Sequence, residues 1–380
     1  MTIPTTPLRV LVLGGAGFIG RHAAAALAAR GHAVVIGTRH PARAGRRLPG
    51  ALHAAERREV HLERLLRPEA WDALLANVAA VVNAVGILRE RGGETYDKVH
   101  HVAPAALARA CERNRVRLVH VSALGLREDT RSGFLRSKLA GERAVAASGA
   151  DYCLVRPALL DGENGYGARW LRRVARWPVH FAPADAAGRL AVMNVADLGE
   201  ALAALCEAPD ASPFREVELG GTASPTIGEY LAALRANTGA RPVPLVTVPA
   251  WLARVASHLC DLAHFSPFSF GHLELMRRDN LPKVNALRTL IGRAPTPVVR
   301  FPSLLEGDYA ERRARALATP PALATLPADA DPSSSAFPSA PRPALRAVDP
   351  CAVRVPGGSP VFRRRGVLPA RTVLSDRIAP

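Results

Sequence analysis

The chain has 380 residues, 48% hydrophobic and 22% charged, the balance of a water-soluble globular protein with length for one large domain or two. No run of about 18 apolar residues suggests a membrane span, and the start MTIPTTPLRVLVLGG carries no charged leader, so a signal peptide is not expected. The net charge of +17 invites a nucleic-acid reading, but the arginines are spread along the whole chain and aromatic residues make up only 5%, so nucleic acid is not an expected partner.

The first half alternates short apolar runs with helical patterns, the rhythm of a parallel sheet flanked by helices. Strands are predicted at 8–14, 33–38, 59–62, 79–86, 116–123 and 151–157, with helices at about 18–30, 68–77, 99–114 and 133–149 between them. Six strands in this order make a doubly wound α/β Rossmann sheet over residues 1–157. A smaller α/β portion on the substrate side follows over 158–318. It has helices at about 165–177, 196–207, 226–238 and 249–264 and a short extended piece at 214–221, and its segment 191–205 is expected to return partly to the sheet. From Thr319 the character changes: 12 of the 32 prolines fall in residues 319–380, among SSS and FRRR. This Pro/Arg-rich tail is expected to be disordered, because it has too little patterned apolar surface to offset the entropy of ordering.

Gly14, Gly17 and Gly20 stand in a GxxGxxG frame, LVLGGAGFIGRH, directly after the first strand and at the mouth of the first helix. That placement suits a dinucleotide. The turn is tight, the backbone must approach a pyrophosphate, and the helix N-terminus offers free amides to it, with Phe18 and Ile19 in its first turn. The second strand ends in GTRHPAR, which contains no acid to accept from a ribose 2′-hydroxyl and places Arg39 and Arg43 where a 2′-phosphate would lie. NADP(H) is therefore the expected cofactor, with NAD(H) as the alternative.

Only three of the 50 basic residues are lysine: Lys98, Lys138 and Lys283. A lysine kept against such a bias suggests a site that needs a compact ammonium. No His, Cys, Asp or Glu cluster has metal-ligand spacing, so no metal is expected. Five scattered cysteines without CxxC spacing, Cys111, Cys153, Cys206, Cys260 and Cys351, read as buried thiols of a reducing compartment, which points to the cytoplasm.

Taken in order and spacing, GGAGFIG, VVNAVGIL, VHVSALG, FLRSKLAGE and LVRPALLDG resemble an extended or atypical short-chain dehydrogenase/reductase of the epimerase/dehydratase type. The nearest likeness is the branch holding the nucleotide-binding accessory subunit of respiratory complex I and its bacterial homologues. The resemblance implies that Asn83, Ala84, Val85 and Gly86 line the cofactor pocket, that the strand end Ser122-Ala123-Leu124-Gly125 meets substrate, with Ser122 a catalytic candidate although the family's hydroxyl often aligns one residue later, where this chain has alanine, and that Arg156 and Pro157 lie beside the nicotinamide. The family's Tyr-x-x-x-Lys pair falls on Phe134 and Lys138. Lys138 is then a cofactor ligand and catalytic candidate, whereas a phenylalanine cannot pass a proton. Tyr96, Asp97, His100 and His101 are the substitutes for the missing acid, although a His pair at a helix start is more often a solvated face. Asp197 reads as a helix cap.

Two functions remain open: hydride transfer to or from a small carbonyl, alcohol or sugar-like substrate, or a redox-silent dinucleotide-binding scaffold docked on a protein partner or peripherally on a membrane.

Overall fold

The computed structural model describes residues 6–162, 164–207, 215–263 and 268–299. The tail expected from Thr319 and Cys351 lie outside them.

Seven parallel strands form the main sheet: β1 (Arg9–Leu13), β2 (Ala33–Thr38), β3 (Glu56–Glu59), β4 (Ala80–Asn83), β5 (Arg117–Val121), β6 (Tyr152–Pro157) and, after a further strand β7 (His180–Pro183) outside this sheet, β8 (Glu216–Leu219). The spatial order is β8-β6-β5-β4-β1-β2-β3. The chain runs outward from β1 to β3, then restarts at β4 and runs the other way. The switch point between β1 and β4 is where such sheets open a crevice at the carboxyl ends of their strands.

Both faces of the sheet are covered, so its central strands are apolar on both sides. Val10 and Val12 pack with Ala23, Ala24 and Leu27 of α1 (Phe18–Ala29). Leu11 and Leu13 face the other way, toward Trp71 and toward Leu107 of α2 (Ala103–Asn114). Next in chain order come α3 (Gly133–Ala146), α4 (Tyr166–Val174), α5 (Val195–Glu207), α6 (Ile227–Ala236), strand β9 (Leu245–Val248) paired with β7, α7 (Ala250–Ala263), α8 (Phe270–Met276) and α9 (Leu287–Ile291). Leu171, Tyr230, Leu231 and Met276 form a separate core on the substrate side. Cys111, Cys153 and Cys206 are buried and Cys260 is half-buried, all unpaired.

Three sequence expectations change. The third strand lies at Glu56–Glu59, upstream of 59–62: Val60 and Leu62 are buried under the sheet as the chain turns toward Trp71, and the charged ERRE forms the sheet edge. Charges on an edge strand hinder pairing with other chains, so this strand lacks the apolar signature that betrays the rest. The helix expected at 68–77 is a 3₁₀ turn (Pro68–Trp71) followed by one turn of α-helix (Asp72–Leu75). The sheet has seven strands rather than six, because β8 pairs beside β6, with Leu219 opposite Pro157.

Candidate functional site

The glycine frame closes on itself at the switch point. Gly14 has φ +71°, a left-handed conformation that favours glycine, and its carbonyl accepts from the Gly17 amide at 2.7 Å. A Cβ on Gly20 would lie 2.2 Å from that carbonyl oxygen, and one on Gly17 2.9 Å from it. Gly17 then caps α1 without a side chain, and the first turn holds no acidic residue, so the amides at the helix mouth stay open to an anion. The Phe18 ring packs on the far side, where a Cβ on Gly165 would stand 2.7 Å from it, and half-buried Ile19 joins the core. This is a cradle that a pyrophosphate fits and a side chain would fill.

Electrostatics add a feature the motif did not announce. Arg21, directly after the frame, lies within charge range of Arg169 of α4 and of Arg47. Burial first, and then those two guanidinium groups, lower its pKa. The signal was the arginine of GFIGR, lost among many arginines. Arg39 at the end of β2 donates to Glu94 at 2.5 Å, its side chain 53% exposed. Glu94 is delivered by a small turn bridged between Arg91 and Glu94. The second strand thus ends beside a carboxylate after all, one supplied from after β4. Arg43 is exposed on the short turn Pro41–Ala44.

At the other lip of the crevice, Asn83 is fully buried, donates to His120 Nδ1 at 3.1 Å and accepts from the Val85 amide at 3.2 Å. It therefore shapes the loop Ala84–Val85–Gly86, in which the Ala84 carbonyl and Val85 side chain stand 3.2 Å from where a Gly14 Cβ would be. His120, buried in β5, has its pKa pulled down to about 3 by desolvation and then by Lys138, so it is a neutral acceptor at Nδ1. Sequence reasoning missed it, since a histidine in a strand carries no motif.

His100 is buried and is not part of a solvated face. Its Nε2 accepts from the Ile87 amide at 3.0 Å, so its proton sits on Nδ1 and is donated to Ser137 Oγ at 3.0 Å, which donates to the Phe134 carbonyl at 2.9 Å. Both ring nitrogens are occupied, and the imidazole ties the β4 loop to α3. The tie is close because Pro104 cannot donate an α-helical bond to the His100 carbonyl, and the turn Lys98–Val102 takes the wider π form. A Cβ on Gly141 of α3 would lie 1.9 Å from that carbonyl oxygen. His101 pairs outward with Asp97 at 2.8 Å.

Phe134 is walled in by rings. Tyr96 and His100 meet it edge-on with centroids 5.8 and 5.5 Å away, and His272 of α8 stacks on it at 6.2 Å. The Tyr96 hydroxyl, put forward as a substitute acid, donates to the Leu88 carbonyl at 2.8 Å, and burial raises its pKa. His272 was not foreseen, being 138 positions downstream of Phe134.

Two groups remain without such commitments. Lys138 Nζ stands 5.9 Å from the Phe134 ring centroid and 3.8 Å from where a Gly86 Cβ would be. Desolvation lowers its pKa to about 8, against a partial upward pull from Glu142. Ser122, at the end of β5, is buried, and its Oγ has no hydrogen-bond partner among the described residues. A buried hydroxyl left unpaired costs about 1–3 kcal/mol, which a ligand oxygen would recover.

Two family-derived placements do not hold. Arg156 points away from the crevice: its Nη2 donates to buried Glu142 and its Nη1 to Glu216, each at 2.7 Å, which leaves Pro157 alone to end β6. Asp197 is not a cap. It lies buried in the first turn of α5 and accepts from Arg293 at 2.7 Å and from the Thr296 amide at 2.6 Å, while Asn194 caps the helix through the Ala196 amide at 2.8 Å.

With this geometry in view, the sequence pattern of a family described as NAD(P)H-binding matches residues 14–176. The "Ceramide reductase" of Caulobacter vibrioides is 30% identical over 203 residues, covering 53% of this chain and 61% of that protein. The mitochondrial "NADH dehydrogenase [ubiquinone] 1 alpha subcomplex subunit 9" of Dictyostelium discoideum is 26% identical over 210 residues, 55% of this chain and 58% of that one. The chain therefore spans about three-fifths of the length of these curated relatives. The UDP-glucose 4-epimerase of Thermotoga maritima superposes with a TM-score of 0.55 at 17% identity, over 81% of this chain and 100% of that one, a likeness of fold. Together these likenesses support an extended short-chain dehydrogenase/reductase-like chain whose residues 14–176 form a nicotinamide dinucleotide-binding domain. Among its described residues no helix is long and apolar enough to cross a membrane.

Proposed function

We propose that this short-chain dehydrogenase/reductase-like chain prefers NADP(H) and interconverts a carbonyl compound and its alcohol, with Lys138 moving the proton and Ser122 holding the reacting oxygen. The observation that carries this is two groups left without hydrogen-bond commitments among the described residues: a lysine whose pKa is brought down to about 8 and a buried serine hydroxyl at the end of β5. The dinucleotide, when bound, supplies or accepts the hydride. The glycine frame and the α1 amides hold its pyrophosphate, and Arg39, Arg21, Arg47 and Arg169 favour the extra phosphate of NADP(H). In the reducing direction the Lys138 ammonium gives its proton to the carbonyl oxygen that Ser122 orients; in the oxidising direction the amine takes it back. The Caulobacter relative's name supports a reductase reading.

The walled-in Phe134 supports a second reading, a redox-silent binder whose dinucleotide stabilises a docking scaffold, and the Dictyostelium relative's name agrees with it. Titration of the purified protein with NADPH and NADH, followed by consumption assays against a panel of ketones and aldehydes, separates them. The first reading expects tighter NADPH binding and turnover abolished in both Lys138→Ala and Ser122→Ala. Dinucleotide binding with no consumption of any carbonyl compound would overturn it in favour of the second.

A further inference from the structure

α7 presents an apolar face that nothing among the described residues covers. Trp251, Leu252, Val255, Leu259 and Leu262 are 68, 43, 49, 58 and 77% exposed. At about 100° per residue they fall within a single arc of about 100°, while buried Ala253 and Ser257 mark the opposite, inward arc. The helix is held firmly before any partner arrives. Arg89 donates to the Cys260 carbonyl at 2.8 Å and pairs with Asp261 at 3.5 Å, and Asp261 accepts from the Phe270 amide at 3.0 Å. Its exposed leucines are therefore a constructed surface and not a frayed end.

Between the apolar and inward arcs, Arg254 and His258 line a cavity of about 640 Å³ in which five arginines, Arg127, Arg131 and Arg278 among them, outnumber the three acids Asp129, Glu274 and Asp279. Arg278 is paired with Asp129 at 2.8 Å. In the same cavity the Asn280 Oδ1 is buried without a hydrogen-bond partner among the described residues. Because residues 254 and 258 flank the apolar arc, this basic cavity opens along its edge.

We propose that α7 lies on the surface of a bilayer containing anionic phospholipid, its leucines and Trp251 entering the interface while the cavity arginines meet headgroup phosphates. A one-sided apolar arc bordered by arginine is the arrangement of an interfacial helix. Charge selects the occupant: a second copy of a chain carrying +17 would be repelled, whereas an anionic leaflet is attracted. Arg89 also joins α7 to the loop that follows Gly86, so the membrane seat and the candidate crevice share one support. The inference goes beyond the proposed chemistry and stands whether or not Lys138 turns a substrate over.

Flotation of the full chain with vesicles tests it. Binding is expected to phosphatidylcholine vesicles containing phosphatidylglycerol, to weaken with added salt, and to fall about tenfold or more in Leu259→Glu/Leu262→Glu, with NADPH affinity and circular dichroism unchanged. Arg131→Glu/Arg254→Glu is expected to remove the preference for anionic vesicles. If the double leucine variant misfolds, Trp251→Ser and Leu262→Ser singly take its place. Flotation of the leucine variants equal to wild type overturns the proposal, as does equal binding to phosphatidylcholine alone. So does a wild-type dimer in analytical ultracentrifugation that the leucine variants make monomeric, which would assign the face to self-association.

Discussion

The dinucleotide-holding part of the crevice and its reacting corner have been treated differently. Around β1 and β4 the glycine turn and the open helix mouth are kept, and packing leaves little freedom to change them: a Gly20 Cβ would overlap the Gly14 carbonyl, and Asn83 spends both amide ends on holding its loop. Around β5 and α3 the lysine remains but the phenol is gone, and Tyr96, His100 and His272 enclose the ring that replaced it. Binding and chemistry are therefore separable in this fold, and the chain holds the first more strictly than the second.

The comparison breaks most violently at the glycine frame. Gly17→Val should lower dinucleotide affinity about a hundredfold or more in a folded protein, since the new side chain occupies the pyrophosphate's place. Fluorescence titration with NADPH and NADH checks this, and unchanged affinity would remove the Rossmann reading of the frame.

Lys138 comes next. Lys138→Ala should weaken NADPH by about 1.5–3 kcal/mol through loss of a charge-assisted hydrogen bond. Lys138→Met should do the same while stabilising the unliganded protein at pH 7 by about 1–3 kcal/mol, because a half-buried ammonium is replaced by an apolar chain of similar length. The ammonium holds its proton to about 8 in the fold against 10.5 in an unperturbed lysine. Folding therefore releases a proton between those values, and wild-type stability rises with pH across that window. Chemical denaturation at pH 7 and pH 10 should show the advantage of Lys138→Met shrinking; a constant difference would mean that the lysine is solvated.

A smaller effect sharpens the cofactor question. Arg39→Asp should shift the NADPH-to-NADH affinity ratio toward NADH by about 2 kcal/mol. Glu94→Gln should shift it the other way by about 0.5–1 kcal/mol by releasing the guanidinium from its partner. If neither ratio moves, Arg39 and Glu94 are a surface pair, and the cluster of Arg21, Arg47 and Arg169 governs the preference.

The least effect is expected at the corner itself. Phe134→Tyr adds a hydroxyl to a half-buried ring bordered by Tyr96, His100 and His272. It should cost about 1–2 kcal/mol in stability and add no turnover. Thermal denaturation and the carbonyl panel read both, and a gain in reductase rate would show that α8 yields to let substrate reach the phenol.

Local chemistry alone determined a good deal of this protein. Period-two and continuous apolar runs placed five of the main strands, β2 to the residue, because buried parallel strands must be apolar along their whole length. The glycine frame was legible because it is a short segment whose geometry is set within one turn, and Phe134 with Lys138 through the resemblance to the family's Tyr-x-x-x-Lys pair. Only the tertiary structure decided the rest. Glu94 reaches Arg39 across 55 positions, His272 reaches Phe134 across 138, and β8 joins the sheet after the chain has left it, while Arg156 turns to Glu142 and Glu216. Each partner is chosen by topology, and charged or aromatic residues in loops and short helices carry no periodic signal that tells which distant group they will meet.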